Sequence, residues 1–369
     1  MEDIVLVGPL AHPALRTALG IAGGQDLTLT GRLVGGRWAG IRAGGWPRVV
    51  DGEEPLAAVR VRATAKLERY AAVMGLAPVD VPGLYLPGVQ VLGAATGDAN
   101  GEEDGHEKDG HENDGAWQAD LAAAIAGHIA TQPEGRSPDR IAARLPMIAG
   151  WCASRLRGRD RPRRRDGLDY RSLAVTEPYA AWFAMEEHDF QPRLHAGGWA
   201  DPVHRGVFVS GDAAVVLPWD PVRDRVMVVE QFRAGPAARL DPDPFVLEPI
   251  AGRIDAGEGP EETMLREAVE EAGVTIRELI PAPHHYPTPG IAAEYIYAYV
   301  GIADLPDGCA GIGGLPEEGE DIRGILMTRS ELTQAALTGR IVNGPLLILA
   351  LWLDREAGAL RARHPAAAG

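Results

Sequence analysis

Cysteine and long apolar runs are both scarce in this chain of 369 residues. Cys152 and Cys309 are too few and too far apart to form a disulfide framework or a zinc site. The longest apolar run, residues 346–353, falls far short of the roughly 20 residues that span a bilayer. The N-terminal residues include acidic side chains and lack the apolar core and cleavage site of a secretory signal. We therefore expect a soluble protein in a reducing, cytoplasmic setting.

Positive charge is also in deficit. The chain has 36 Lys and Arg against 52 Asp and Glu, which gives a formal net charge of −16 and a pI near 5.1. This balance argues against general binding to nucleic acid or to an anionic membrane, because both partners need a basic surface. Small anionic substrates remain possible if a metal ion binds. The length is compatible with two or three domains.

One stretch, residues 247–274, carries a set of residues at fixed spacing. It reads LEPIAGRIDAGEGPEETMLREAVEEAGV and follows the pattern G-x5-E-x7-R-E-U-x-E-E-x-G-U, where U is apolar. The fixed positions are filled by Gly252, Glu258, Arg266, Glu267, Glu270, Glu271 and Gly273. If each position matched by chance in roughly 7% of cases, a given start would match with probability ~10⁻⁸. The pattern is therefore not accidental.

The same stretch predicts a helix over residues 260–272. Pro260 suits a first helical position, and Gly273 suits a left-handed position that ends a helix. Three carboxylates, Glu267, Glu270 and Glu271, are spaced i, i+3 and i+4 and so share one face. The opposite face is predicted to turn apolar side chains toward a core, and these are Met264, Leu265, Ala268 and Ala272.

Three grouped carboxylates repel one another unless a cation lies between them. Hard divalent ions such as Mg²⁺ prefer oxygen ligands and often share coordination with substrate phosphates. The helix therefore predicts a multi-metal site that cleaves a phosphate anhydride. The alternative interpretation is an acidic helix that simply faces solvent.

Every specified position of the pattern matches the Nudix box, and the chain resembles the Nudix hydrolase family from residue 175 to roughly residue 353. The resemblance implies an α/β/α sandwich and Mg²⁺-dependent hydrolysis of a nucleoside diphosphate linked to another group. Four stretches are similar to the ADP-ribose pyrophosphatase branch: LPWDPVRDRVMVVEQFR from Leu217, LEPIAGRIDAGE from Leu247, HYPTPG from His285 and GEDIRG from Gly319. That branch has a proline sixteen residues past the second box glycine, and Pro289 stands sixteen residues past Gly273.

The resemblance also implies roles for individual residues. Metal would be held by the backbone carbonyl of Ala251 and by Glu267, Glu271 and Glu320, supported by Glu270 and Glu258. Arg266 would pair with a box carboxylate, and the general base would be Glu318, with Glu317 as the neighbouring alternative. Arg233 and Arg205 match arginines that contact the diphosphate or the terminal ribose. The products would be AMP and ribose 5-phosphate, Mn²⁺ could replace Mg²⁺, and a homodimer would complete the site.

Several of these interpretations have alternatives. The substrate could be another nucleotide sugar such as GDP-mannose, or the domain could be a sensor that binds ADP-ribose without cleaving it. Arg233 could be a surface charge at a strand end. Pro289 could be an ordinary loop residue.

Apolar periodicity and turn residues predict the remaining elements. Strands are predicted at residues 213–217, 226–232, 245–250, 295–302 and 322–327. Helices are predicted over residues 117–129 and 141–156, from a Ser330 cap to about residue 337, and from Asn343 and Pro345 onward. This order favours an α/β fold with a mixed sheet between helices.

The predicted domain order has four parts. Residues 1–95 form a small α+β domain, residues 96–116 an acidic disordered linker, residues 117–174 a helical segment with an Arg-rich hinge, and residues 175–360 the Nudix domain. Residues 97–115 of this linker include no aromatic or β-branched residue with which to build a core. His106 and His111 within it could bind metal weakly, although a solvated tract is the simpler interpretation.

The N-terminal domain resembles the γ-glutamylcyclotransferase fold through its first strand and tight turn. The turn reads Val7-Gly8-Pro9-Leu10, so the tyrosine of that family's turn is missing. The resemblance favours a degenerate binding or structural module, with γ-glutamyl chemistry as the alternative. The two-domain layout is also similar to Nudix proteins associated with tellurite resistance.

Overall fold

The computed structural model describes residues 3–79, 89–94, 117–163, 166, 169–315 and 319–364. The chain divides into two compact units, Met1–Pro162 and Arg163–Gly369. The predicted linker at 96–116 and the two candidate bases, Glu317 and Glu318, lie outside the described residues. No helix of the described ranges combines the length and apolar content that crossing a membrane requires.

The first unit is built on a five-stranded sheet in the order β2-β3-β1-β5-β4. Its strands are β1 (Asp3–Val7), β2 (Gln25–Val34), β3 (Arg48–Arg62), β4 (Leu76–Val79) and β5 (Gln90–Ala94). Its helices are α1 (Pro13–Ala18), α2 (Ala65–Met74), α3 (Ala119–Thr131), α4 (Pro138–Ala142) and α5 (Leu145–Arg159), and a 3-10 helix spans Gly8–Ala11. The unit is thus α+β, and its likeness to γ-glutamylcyclotransferases stays a prediction.

In the first unit, the helices from the early part of the sequence pack against those from its later part. Helix α3 contacts α1, α2 and α5, and α4 contacts α2. The single helix predicted over residues 141–156 is wrong, because α4 ends at Ala142 and α5 begins at Leu145. Pro146 lies in the first turn of α5, where its missing N–H needs no partner, and in mid-helix it would break the hydrogen-bond ladder.

The second unit contains two sheets. Its strands are β6 (Tyr170–Ala180), β7 (Ala184–Pro192), β8 (Val203–Val209), β9 (Ala213–Asp220), β10 (Arg225–Phe232), β11 (Phe245–Glu248), β12 (Ile250–Arg253), β13 (Ile276–Pro281), β14 (Ile296–Ala303), β15 (Ile312–Gly313) and β16 (Ile322–Thr328). Strands β6-β7-β8 form a three-stranded antiparallel sheet. The others form an eight-stranded sheet of order β13-β14-β9-β10-β16-β15, with β11 on β10 and β12 on β9.

The eight-stranded sheet is mixed, as predicted, because β14 runs parallel to β9 while the other pairs are antiparallel. Its helices are α6 (Ala234–Ala238), α7 (Pro260–Ala272), α8 (Arg329–Leu337) and α9 (Gly344–Arg363). Met264 and Ala268 of α7 pack on one face of the sheet, and Leu332 of α8 and Leu349 of α9 pack on the other. The predicted α/β/α sandwich is confirmed.

Two local predictions in this unit are wrong. The strand predicted over residues 245–250 is interrupted at Pro249, which has no N–H to donate, so that β11 pairs with β10 and β12 pairs with β9. The cap of α8 is Thr328 and not Ser330. The Thr328 hydroxyl accepts from the Glu331 N–H at 3.1 Å, and Glu331 in turn accepts from the Thr328 N–H at 2.9 Å.

Candidate active site

Helix α7 spans Pro260–Ala272, as the sequence predicted. Pro260 occupies the first turn, and the N–H of Gly259 donates to the carboxylate of Glu262 at 2.8 Å. Gly273 ends the helix in a left-handed conformation with φ of 62°. These local signals fix both ends of the helix and therefore the direction in which each glutamate points.

The two faces of α7 differ as predicted, with one exception. Met264 and Ala268 are fully buried against the sheet. Leu265 was expected to face the core but is 43% exposed, because it lies one residue, or about 100° of helix rotation, from Met264. Glu271 is only 2% exposed although it is a carboxylate. Burial of a charged group without a full partner is costly and needs a reason.

Arg266 binds three carboxylates at once. Its Nη1 lies 3.0 Å from Oε1 of Glu267 and 2.8 Å from Oε2 of Glu270, and its Nη2 lies 3.4 Å from Oε2 of Glu258. Burial lowers the pKa of Arg266, but these charges raise it overall above its ordinary value. Thr263 supports Glu258 with a hydroxyl hydrogen bond of 3.0 Å. Arg266 thus fixes the side-chain orientations of three of the predicted acidic residues.

Glu267 and Glu271 hold their protons unusually strongly. Burial raises the pKa of Glu267 to about 7, although Arg266 opposes the rise. Burial also raises the pKa of Glu271 to about 8, against a 3.2 Å hydrogen bond from the Ala251 N–H. The charge of Glu320 adds a smaller contribution to both increases, so Glu320 lies within electrostatic range of the other two.

Strand β12 forms the wall against which these carboxylates lie. A Cβ atom on Gly252 would overlap the carboxylate of Glu267, so this position accepts only glycine without rearrangement. Ala251, the adjacent residue, meets Glu271 through its backbone. Glu320 is held from the other side by the N–H of Leu315 at 3.2 Å.

The donor set fits a divalent cation. Within the described residues, no group of three or more Asp, Glu, His or Cys side chains is arranged so that it could already hold a metal ion. The pKa values of Glu267 and Glu271 are raised first by burial and then by neighbouring carboxylates. A cation among them would offset both the burial and the mutual repulsion, and carboxylate with carbonyl oxygen is the donor set that Mg²⁺ accepts.

Arg233 is held by a buried partner and is not a free surface charge. Its Nε donates to Oε2 of Glu248 at 2.8 Å, and its Nη2 lies 2.6 Å from the same oxygen. Asn343 donates to the other oxygen of Glu248 at 3.0 Å. Burial lowers the pKa of Arg233, but Glu248 and the charges of Glu271 and Glu320 raise it overall. Arg233 therefore belongs to the electrostatic surroundings of the carboxylate cluster.

Two predicted substrate residues stand apart from this cluster. Arg205 is exposed on β8, where its Nη1 donates to the carbonyl of His204 at 2.7 Å. Pro289 is exposed in the turn between β13 and β14. No contact in the described part of the chain links either residue to Glu267, Glu271 or Glu320.

A further group of half-buried residues lies beside Gly252 and was missed by the sequence interpretation. Arg253 donates to the carbonyl of Ser210, and its guanidinium stands 4.9 Å from the ring centre of Phe183. Burial lowers the pKa of Arg253 and raises that of Glu294, and the charges of the two residues attract. The other residues of this group, Phe183, Ser210 and Glu294, lie 41 or more positions from Arg253 in the sequence. The only sequence signal was therefore that Arg253 directly follows Gly252, a fixed position of the pattern.

Comparisons with known proteins identify the family of this chain. The NUDIX domain model matches residues 209–347. The ADP-ribose pyrophosphatase of Escherichia coli (strain K12) is 36% identical over 193 residues, which cover 52% of this chain and 91% of that protein. The protein of the same name from Haemophilus influenzae is 36% identical over 188 residues, covering 50% and 86%. The GDP-mannose pyrophosphatase of Enterobacter sp. (strain 638) is 30% identical over 150 residues, covering 41% and 77%. The chain belongs to the Nudix hydrolase family.

Proposed function

We propose that this chain hydrolyses the diphosphate of ADP-ribose to AMP and ribose 5-phosphate with Mg²⁺, or with Mn²⁺ in its place. The observation that supports this most is that helix α7 of the Nudix box buries Glu271 and holds Glu267 and Glu270 on Arg266. The names of the two relatives at 36% identity support ADP-ribose as the substrate.

The Ala251 carbonyl, Glu267, Glu271 and Glu320 would hold the metal. Glu270 and Glu258 would support it indirectly, because both bind Arg266, which also holds Glu267. Bound divalent cations at such a site lower the pKa of water and neutralise charge on the diphosphate. Before a cation binds, Arg266 and the Ala251 N–H keep Glu267 and Glu271 oriented.

The remaining roles concern the substrate. Glu318, or its neighbour Glu317, would accept the proton of the water that attacks the adenosyl phosphorus. Arg233, held in place by Glu248, would contact the diphosphate. Arg205 and Pro289 would reach the substrate only if their segments, or those of a partner subunit, come close to it.

Incubating the purified protein with ADP-ribose and MgCl₂ tests the proposal directly. We expect equal amounts of AMP and ribose 5-phosphate by chromatography, and no release after EDTA treatment. Binding of ADP-ribose without AMP release would favour the sensor alternative. GDP-mannose is the second candidate substrate because a GDP-mannose pyrophosphatase is 30% identical. Faster hydrolysis of GDP-mannose than of ADP-ribose would replace the proposed substrate.

We further propose a homodimer. The three-stranded sheet of β6 to β8 and its first turn expose large apolar side chains, and Trp182 is 73% exposed. The others are Tyr170, Leu173, Val175 and Tyr179. Contiguous exposed apolar area often marks an interface. Light scattering during size-exclusion chromatography should give about twice 39.2 kDa, and a Trp182→Asp variant should shift toward the monomer.

The scarcity of cysteine, with two in 369 residues, supports the proposed cytoplasmic setting. The acidic net charge supports small-molecule partners over nucleic acid or membranes. The N-terminal module and any part in tellurite resistance remain proposals that rest on resemblance.

A further inference from the structure

The segment Gly311-Ile312-Gly313-Gly314-Leu315, called here the glycine strap, lies across the C-terminal turn of α7. Its centre is β15, which pairs with β16. At its first residue, the Gly311 carbonyl accepts from the Gly324 N–H at 2.8 Å. The strap is therefore fixed to the sheet on one side.

On its other side, the strap touches the backbone of the helix that carries the carboxylates. A Cβ atom on Gly313 would overlap the carbonyl oxygen of Glu271 and stand 2.7 Å from its carbonyl carbon. The Gly314 N–H donates to the carbonyl of Glu270 at 3.2 Å. The last carbonyls of a helix have no partner within it, so the strap satisfies one of them. Only a residue without a side chain at position 313 permits this approach.

The far end of the strap holds Glu320. The Leu315 N–H donates to Oε2 of Glu320 at 3.2 Å, and the Glu320 N–H donates back to the Leu315 carbonyl at 3.3 Å. Gly314 has φ of 93°, a conformation that favours glycine, and a Cβ there would stand 2.8 Å from the Cβ of Glu320. The contacts of the neighbouring residues Gly313 and Gly314 thus connect the end of α7 to Glu320.

We propose that the glycine strap sets the distance between Glu320 and the α7 carboxylates, and that Gly313 is a positioning residue for the metal site. The inference rests on the proposed function, because it assigns Glu320 to the same site as Glu267 and Glu271. The strap contacts α7 and Glu320 through backbone atoms, so displacing it moves Glu320 relative to Glu271. The role assigned to Gly313 is to hold the backbone of α7 and not to bind substrate or metal itself.

The test compares Gly313→Ala with Gly311→Ala. Both substitutions add one methyl group to the strap, but a Cβ on Gly311 meets nothing within 4 Å. For Gly313→Ala we expect Mn²⁺ affinity of the substrate-free protein, measured by calorimetry, to fall about 10–100-fold. We expect kcat for ADP-ribose to fall by about 10²-fold, because catalysis is sensitive to displacements of about 1 Å. KM should change much less, and Gly311→Ala should match the wild type in every measurement.

Equal Mn²⁺ affinity and kcat in the two variants, within about twofold, would overturn the inference while the wild-type activity stands. If the wild type releases no AMP, the proposed function fails. The comparison of Mn²⁺ affinities between the two variants still tests whether the glycine strap positions Glu320. If Gly313→Ala does not fold, Gly314→Ala takes its place, because its Cβ presses on Glu320 and not on α7. Normal Mn²⁺ affinity in that variant would equally refute the positioning role.

Discussion

Helices α7 and α9 flank opposite faces of the same sheet and differ in what they bury. Both begin with a proline in the first turn, and α9 is also capped by the Asn343 side chain, which accepts from the Leu346 N–H at 2.8 Å. The buried face of α9 is entirely apolar, with Leu346, Leu349 and Leu353 fully enclosed. The buried face of α7 includes Glu271 beside Met264 and Ala268. The buried face of α9 thus contributes only to stability, whereas the buried face of α7 loses stability because it encloses the carboxyl group of Glu271.

Replacing the buried charge on α7 should have the largest effect on activity. Glu271→Gln keeps the size of the side chain and removes its charge, so kcat for AMP release should fall about 10²–10³-fold. The melting temperature of the metal-free protein should hold or rise, because a costly buried carboxylate is gone. Glu262→Gln on the exposed side of the same helix is the matched control and should keep full activity, because the Gln amide oxygen can still accept from the Gly259 N–H. Unchanged turnover in Glu271→Gln would contradict the metal assignment.

Truncating the opposite helix should reverse this pattern. Leu349→Ala removes a fully buried side chain from α9 and should lower the free energy of unfolding by about 2–5 kcal/mol. Its kcat, measured well below the melting temperature, should stay near the wild-type value. Leu351→Ala, at a largely exposed position of the same helix, should change stability little. Equal losses in the two leucine variants would show that α9 is not packed as described.

The buried carboxyl group of Glu271 should also make the free energy of unfolding depend on pH. The folded pKa of Glu271 is about 8, above the ordinary value near 4.5, so the folded state holds its proton while the unfolded state loses it. In EDTA, this group's contribution to stability is full below about pH 4.5 and is lost as pH rises toward 8, by at most about 1.4 kcal/mol per pH unit. Urea unfolding across this range should therefore show wild-type stability falling relative to Glu271→Gln. A constant difference would argue against a raised pKa.

The smallest expected effect concerns the cap of α8, which lies on the apolar side with α9. Thr328→Ala removes the hydroxyl that caps α8 and should cost about 1 kcal/mol of unfolding free energy. Ser330→Ala lies two residues inside the helix and should cost no more than about 0.5 kcal/mol. Chemical denaturation of the two variants measures the difference. A larger loss for Ser330→Ala would restore the cap that the sequence suggested.

Local signals were enough to predict α7 and the carboxylates that it carries. Pro260 and Gly273 act on their own neighbours, so the helix bounds follow from adjacent residues. The same logic failed for α8, where Thr328 and Ser330 are both plausible caps. The reciprocal bonds between Thr328 and Glu331 select the former. Leu265 was misplaced because its apolar character gives no information about which side of the helix it occupies.

Contacts between residues far apart in the chain could not be predicted from the sequence alone. The partner of Arg233 is Glu248, fifteen residues away, and Glu248 is held in turn by Asn343, ninety-five residues away. Nothing in the local pattern around Glu248 indicates these partners. The predicted roles of Arg205 and Pro289 came from resemblance, and the described structure brings neither into contact with the carboxylates.

The absence of a side chain at Gly252 means that the Glu267 carboxylate lies against main chain. Peptide groups are chemically alike whatever side chains they carry, so this surface does not depend on a side chain at position 252. Over evolutionary time, substrate preference in such a protein would be free to vary through loops and neighbouring strands. At the proposed metal site, the contact between this main chain and Glu267 needs position 252 to stay a glycine.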